Sequence, residues 1–376
     1  MKKDFKLLIS GLFLLLLILI GVIYLFLTEN KENFINEEKS PEVKVQFNEI
    51  GSSNYLINSF GFFQDNIVYI LFDENKSIVK DIKGNVLFED AQQIYSIENI
   101  DENLVFLFTK NSKENIYFNG EIINVIGNYV DGITVNNGLL SYISYNNSSY
   151  ILVEQGNVKE LDFDVVFNLK YLNEKLSFQI EDETKDLIYF DGKIKGENFE
   201  FISYLGGFLF DNEFSFIAFD QNSSYLVKGE EVFNLKYDIY SHIEIYNNDL
   251  FYVSMIDDKQ FITNYAGINK TNLFSQILNF RYYNDNLYYI ASKDEITWDL
   301  YENNKKLTSG YDFINDFLKV GDELAYLYLS NNQTYLSYKN EEIKINCSEY
   351  SQLENYKDKL VVICAEEFGN KLLIEK

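Results

Sequence analysis

The chain has 376 residues, 47% of them hydrophobic and 17% aromatic, with 30 Tyr, 32 Phe and one Pro. That excludes a disordered chain, which would be richer in Pro and poorer in aromatic residues, and it favours strands, whose pleated, half-buried surfaces suit aromatic side chains. The formal charge of −26 excludes nucleic acid as a partner, because an acidic surface repels phosphate backbones and anionic lipid headgroups and favours cationic partners or metal ions.

The amino terminus is a separate segment. Residues 7–27, LLISGLFLLLLILIGVIYLFL, carry no charge, and a helix of that length covers roughly 30 Å, the thickness of a bilayer's hydrocarbon layer. Lys2, Lys3 and Lys6 precede the run and Glu29 and Glu32 follow it. Positive-inside asymmetry makes residues 1–28 a cytoplasmic tip and transmembrane signal anchor, with the remainder outside the cytoplasm. A cleaved signal peptide is the competing reading, but the run is too long and no small-x-small site follows Leu27. Residues 29–42 are polar, contain the single Pro, Pro41, and read as an exposed stalk.

Residues 43–376 are repetitive. A polar Asn/Asp/Gly turn, an apolar anchor and a run of alternating aromatics recur nine times. The anchors are Ile67, Leu104, Leu139, Leu176, Phe214, Leu250, Leu287, Leu324 and Leu360, at spacings of 37, 35, 37, 38, 36, 37, 37 and 36. A second series of turns keeps step with them, at Gly84, Gly120, Gly156, Gly192, Gly229, Gly267, Asn303 and Asn340. Gly and Asn tolerate the positive φ of tight hairpins. Each unit therefore predicts four short antiparallel strands, a to d: b follows the anchor turn, and c and d flank the Gly/Asn turn. A unit of this kind buries its faces only against its neighbours.

This pattern resembles the β-propeller repeat proteins over residues 43–376. The resemblance implies an all-β ring of nine four-stranded blades, with eight as the alternative. The ninth unit stops after its c strand, KLLIEK, while VKVQFNEI at 43–50 precedes the first unit. Pairing those two segments would complete the last blade and cover both edges. No subfamily signature recurs through the units: no Gly-His is partnered with a Trp-Asp, and no paired Gly repeats as in kelch proteins.

Signs of chemistry are sparse, and no catalytic, cofactor-binding or metal-ligating residue is assigned. His242, the single histidine, alternates with apolar positions in YSHIEIY and reads as a packed or surface strand residue. Arg281, the single arginine, sits beside Tyr282 and Tyr283 and reads as a local stacking or pairing group. The acidic cluster EDETKD at 181–186 reads as a solvated loop rather than a Ca²⁺ site, since it lacks the ligand spacing. SKDEITW at 292–298 resembles the sialidase Asp-box but lacks its Gly, is one residue short and occurs once, and is set aside as coincidence. Cys347 and Cys364 read either as an extracytoplasmic disulfide or as two buried thiols. The sequons at Asn75, Asn147, Asn222, Asn269 and Asn332 are expected by chance in an Asn-rich chain.

Rotational repetition places all nine b–c loops on one face, and all are polar, among them YNNSS at 145–149 and SNNQT at 330–334. Loops on a rigid scaffold commonly carry binding. The sequence thus predicts a membrane-anchored, extracytoplasmic, non-catalytic module that binds an unknown protein or glycan. The rivals are a carboxylate-dependent glycan-active enzyme and a structural envelope component.

Overall fold

Each unit folds because its pattern is local. Two-residue turns that admit positive φ join runs of alternating aromatic and aliphatic residues, which pair as hairpins. At Asn119 and Gly120 both turn residues have positive φ, +48° and +99°, as the right-handed twist of the flanking strands demands.

The computed structural model describes residues 45–376 except 51–56, 64–65, 74–75, 101–102, 183–184, 222, 349–350 and 367–368. The apolar run 7–27 and the stalk 29–42 lie outside the described residues. Among the described residues no helix is long and apolar enough to cross a membrane.

The described strands form nine antiparallel groups, spanning 57–91, 93–124, 129–161, 165–195, 201–234, 241–264, 276–306, 313–344 and 352–375, of which the last and the first are joined into one sheet where Ile57 pairs with Asn370. We number these blades 1 to 9 and letter their strands a to d in chain order. Strand b is covered on both faces by neighbouring blades. In blade 6 it is Asp249–Ile256, buried from Leu250 to Ser254. Strand d lies at the rim; in blade 5 it is Glu231–Asn234, exposed throughout. The core therefore consists of clusters between successive blades. Between blades 6 and 7, Phe274, Phe280 and Tyr289 pack with Phe251 and Val253, and Tyr289 stacks on Tyr301 with centroids 5.0 Å apart.

Head and tail meet as expected. The segment Phe47–Ile50 pairs antiparallel with strand c of blade 9, Gly369–Glu375, in the register Phe47 with Glu375 through Ile50 with Leu372. The Lys376 N–H donates to the Gln46 carbonyl at 3.0 Å, and Lys371 pairs with Glu49 at 3.1 Å. The first described strand is thus the d strand of the last blade. The nine-unit count holds and the eight-unit alternative falls away.

Three details differ from the sequence reading. Leu139 is 51% exposed. Its neighbour Leu140, opposite Val135, occupies the place that Leu176, opposite Tyr171, holds in blade 4, because the turn at Asn137 and Gly138 ends one residue nearer the anchor. Blade 6 has three strands. After Gly267 the chain meets strand c only at isolated bridges, and the Thr271 hydroxyl supplies the acceptor for the Ile262 N–H at 2.9 Å. Strand a of blade 5 is split into Phe201–Ile202 and Phe208–Phe210, interrupted where Gly206 takes φ +64°.

Of the two readings of Cys347 and Cys364, the disulfide is the one observed. It ties the connection entering blade 9 to that blade's strand b. A sequence separation of 17 residues corresponds to about 3 kcal/mol of loop-closure entropy. SKDEITW folds as a self-contained b–c turn. Asp294 Oδ1 accepts from the Ile296 and Thr297 N–H groups at 3.0 and 2.8 Å, bonds that hold its carboxyl down at about 2. Glu295 occupies a position with φ +63°. In EDETKD, Asp182 faces Lys185 across the hairpin.

Candidate functional site

Strand a is the innermost of each blade, and it is irregular. Among the described residues, register shifts interrupt strand a in blades 1, 2, 3, 4, 6, 7 and 8. An unpaired residue of this kind re-aims side chains. The displaced positions include Asp131, Asn168, His242, Leu278 and Asn315, and His242 itself has φ +36°.

The re-aimed side chains latch each inner strand to the next. Ser59 Oγ accepts from the Ile97 N–H at 3.2 Å. Asn168 donates to the Tyr204 carbonyl at 3.0 Å, and Lys170 to the Leu205 carbonyl at 2.7 Å. His242 Nε2 lies 3.1 Å from the Phe280 carbonyl, so Nε2 carries the proton. Glu244 Oε1 accepts from the Tyr282 N–H at 3.1 Å. Arg281 donates to the Phe317 carbonyl, lies 5.4 Å from the centroid of the Phe317 ring and pairs with Asp316 at 3.1 Å. Asp316 in turn accepts from the Leu353 N–H at 3.0 Å. These polar groups of the inner wall thus find partners one blade away, although Glu244 Oε2 is buried without a hydrogen-bond partner.

The chain's single histidine and single arginine, two residues that look isolated in the sequence, therefore share one cluster with Glu244, Asp316 and Glu354 on blades 6 to 9. Burial pushes the His242 imidazole down, and the neighbouring Arg281 charge adds to this while the carbonyl bond opposes it. Burial likewise raises Glu244, Asp316 and Glu354, with Arg281 opposing in each case. Perturbed groups gathered in one place are a marker of functional sites. The sequence reading missed Glu244, Asp316 and Glu354. For two of them the signal was positional: Glu244 and Glu354 stand six residues before the anchors Leu250 and Leu360, as Arg281 does before Leu287.

Beside this cluster lies a pocket of about 710 Å³ lined by His242, Leu278, Asn279, Phe313, Asn315, Ser351 and Gln352. These residues stand near the starts of a strands, opposite the ends of b strands, as in the pairings of Ser241 with Val253 and Gln276 with Ser292. The pocket consequently opens on the face that bears the b–c loops. Asn279 Oδ1 is buried there without a hydrogen-bond partner. Amides, a hydroxyl and an uncharged imidazole beside Leu278 and Phe313 suit a neutral polar group with an apolar flank. Asp316 is engaged by Arg281 and by the backbone N–H groups of Phe317 and Leu353, and Glu244 Oε1 by the Tyr282 N–H. Among the described residues, no group of three or more His, Cys, Asp or Glu is placed to hold a metal ion.

The raised carboxyls set a pH dependence. Burial raises Glu114 and Asp131 in blades 2 and 3 as well as the three at the cluster. A folded state that holds protons more tightly than the unfolded chain loses stability as pH rises through that interval. Self-repulsion at a net charge of −26 acts in the same direction. His242, lowered, acts oppositely as pH falls through about 6.5, but as one group against five. Asp81, Glu230, Asp294 and Glu375, whose carboxyls are held low, oppose only as pH falls through and below the ordinary carboxylate range. The unfolding midpoint of the full chain in neutral detergent is therefore expected to rise as pH falls from about 7.5 to about 5. A steady decline over that interval, followed by circular dichroism, would count against this account.

Nine antiparallel meanders stacked edge to centre, with the chain's head completing its last sheet, define a β-propeller. No family model matches the chain, and no curated protein matches it at a significant level. Solved structures similar to it include the β-propeller domain of the trilobed protease of Pyrococcus furiosus, at 10% identity and a TM-score of 0.40, covering 78% of this chain and 96% of that one. A prolyl endopeptidase structure shows 10% identity and a TM-score of 0.41, with 84% of this chain covered and 55% of that one. The acylaminoacyl peptidase of Pyrococcus horikoshii shows 11% identity and a TM-score of 0.36, with 76% and 57% covered. The chain thus spans little more than half the length of those two peptidases.

Proposed function

We propose that the chain is a membrane-anchored, extracytoplasmic interaction module that binds a protein or glycan on its b–c face. The observation that carries this reading is the central pocket, about 710 Å³ in volume, whose His242 is held by the Phe280 carbonyl of the next blade. A rigid wall loses little entropy on binding, which favours recognition over a flexible surface. The anchor is residues 7–27, supported by their length without charge and by the lysines before them. The ring's own first residue, Gln46, lies beside the end of strand c of blade 9, on the face opposite the pocket.

Filling the pocket tests this reading. The full chain in neutral detergent is screened against a glycan array and against envelope proteins of its host, with an Asn279→Trp variant alongside. The wild type is expected to retain a specific partner, and the variant, with an unchanged unfolding midpoint, to bind it at least tenfold more weakly. Equal binding by both would overturn the pocket as the site. Release of new reducing ends from an arrayed glycan would replace binding with hydrolysis.

A further inference from the structure

A second hollow, about 400 Å³ in volume, lies between blades 6 and 7 on the opposite face, among the a–b and c–d turns. Its wall is aromatic. Tyr246 stacks on Tyr282 with centroids 4.9 Å apart and planes 14° apart, and Tyr282 meets Phe251 at 4.4 Å. Asp249 lines it too. One of its carboxylate oxygens accepts from the Asn264 amide at 2.9 Å, and the other, Oδ1, is buried with no hydrogen-bond partner. At the mouth, Asp285 is fixed by Asn247 at 2.8 Å and by the Tyr246 hydroxyl at 3.2 Å.

An unmatched carboxylate oxygen out of contact with water requires a donor, preferably a charged one. Aromatic faces attract cations, and the Lys270 ammonium already lies 5.5 Å from the Phe251 centroid. It leaves Asp249 Oδ1 unsatisfied. The field of a chain with net charge −26 concentrates cations at such a cleft. The hollow is large enough for a short alkyl chain, and its ring walls suit methylenes better than the hydration shell of a metal ion.

We propose that this hollow binds an alkylammonium group, whose N–H donates to Asp249 Oδ1 while its methylenes lie against Tyr246 and Tyr282. The group is either the lysine side chain of a polypeptide or a free polyamine. The site is on the other face from the central pocket and stands whether or not that pocket binds.

The test is isothermal titration of the full chain in neutral detergent at low salt with butylamine, spermidine, a lysine-containing peptide with blocked termini, and neutral butanol. The three amines are expected to bind and butanol not to. Asp249→Asn is expected to weaken amine binding at least tenfold. Because the chain holds 58 acidic residues, diffuse attraction would survive that single change, so the loss is diagnostic. If Asp249→Asn does not fold, Tyr246→Leu at the rim carries the test, with the same loss expected. A blocked peptide binding more tightly than spermidine assigns a polypeptide partner, and the reverse order a polyamine. Equal affinity in wild type and variants, binding of butanol, or displacement of the amines by equimolar Ca²⁺ would overturn the proposal.

Discussion

Replacing Asp316 by alanine is expected to destabilise the ring by about 3 kcal/mol, the lower end of the range for breaking a buried ion pair. Asp316 is 6% exposed. Its carboxylate faces Arg281 at 3.1 Å and accepts from the backbone N–H of Phe317 at 2.9 Å and of Leu353 at 3.0 Å. Alanine removes all three contacts at once. The Leu353 N–H, at the start of blade 9, is left buried without this acceptor, and Arg281 loses its paired counter-ion, with Glu354 as a further acidic neighbour. The lower end applies because the Arg281 side chain retains 32% exposure, so water screens part of the loss. Asp316→Asn keeps an acceptor for Leu353 and is expected to cost about half as much. Urea unfolding of the two variants measures both numbers, and an alanine variant within about 0.5 kcal/mol of wild type would show that the inner latches do not hold the blades.

Deleting residues 45–50 is expected to cost about 4–5 kcal/mol. The segment Phe47–Ile50 pairs with strand c of blade 9 over four positions, Gln46 accepts from the Lys376 N–H, and each such bond contributes about 1 kcal/mol net. Ile50 also packs against the cluster of Ile57, Ile67, Val361 and Leu372 that joins blades 9 and 1. Without the segment, Gly369–Glu375 becomes a bare edge and pairs readily with another chain. Hydrogen exchange should locate the loss in blade 9 and in strand a of blade 1, and light scattering should report self-association. Unchanged exchange in Lys371–Glu375 would mean that closure is made elsewhere.

The two variants probe different kinds of information. Blade number, hairpin turns and closure were legible in the sequence because they rest on local rules. Positive φ at Gly120 or Asn303 needs only its own turn, and alternation needs only adjacent residues. Even the slip at Leu139 came from a turn ending one residue nearer its anchor, a difference too small for periodicity to resolve. The apolar run 7–27 is likewise a property of the sequence, since length and charge define it.

The sites were not legible, because their partners lie a full blade away. His242 bonds the Phe280 carbonyl 38 residues later, and Asp249 meets its hollow only when blade 7 brings Tyr282 beside it. Read singly, His242 and Arg281 look like strand residues. What tertiary structure decided was which inner strand follows which, and where bulges turn their side chains. Composition and turn chemistry dictate a ring of small sheets, but only stacking those sheets brings residues a blade apart within hydrogen-bond reach, and that proximity makes the pockets.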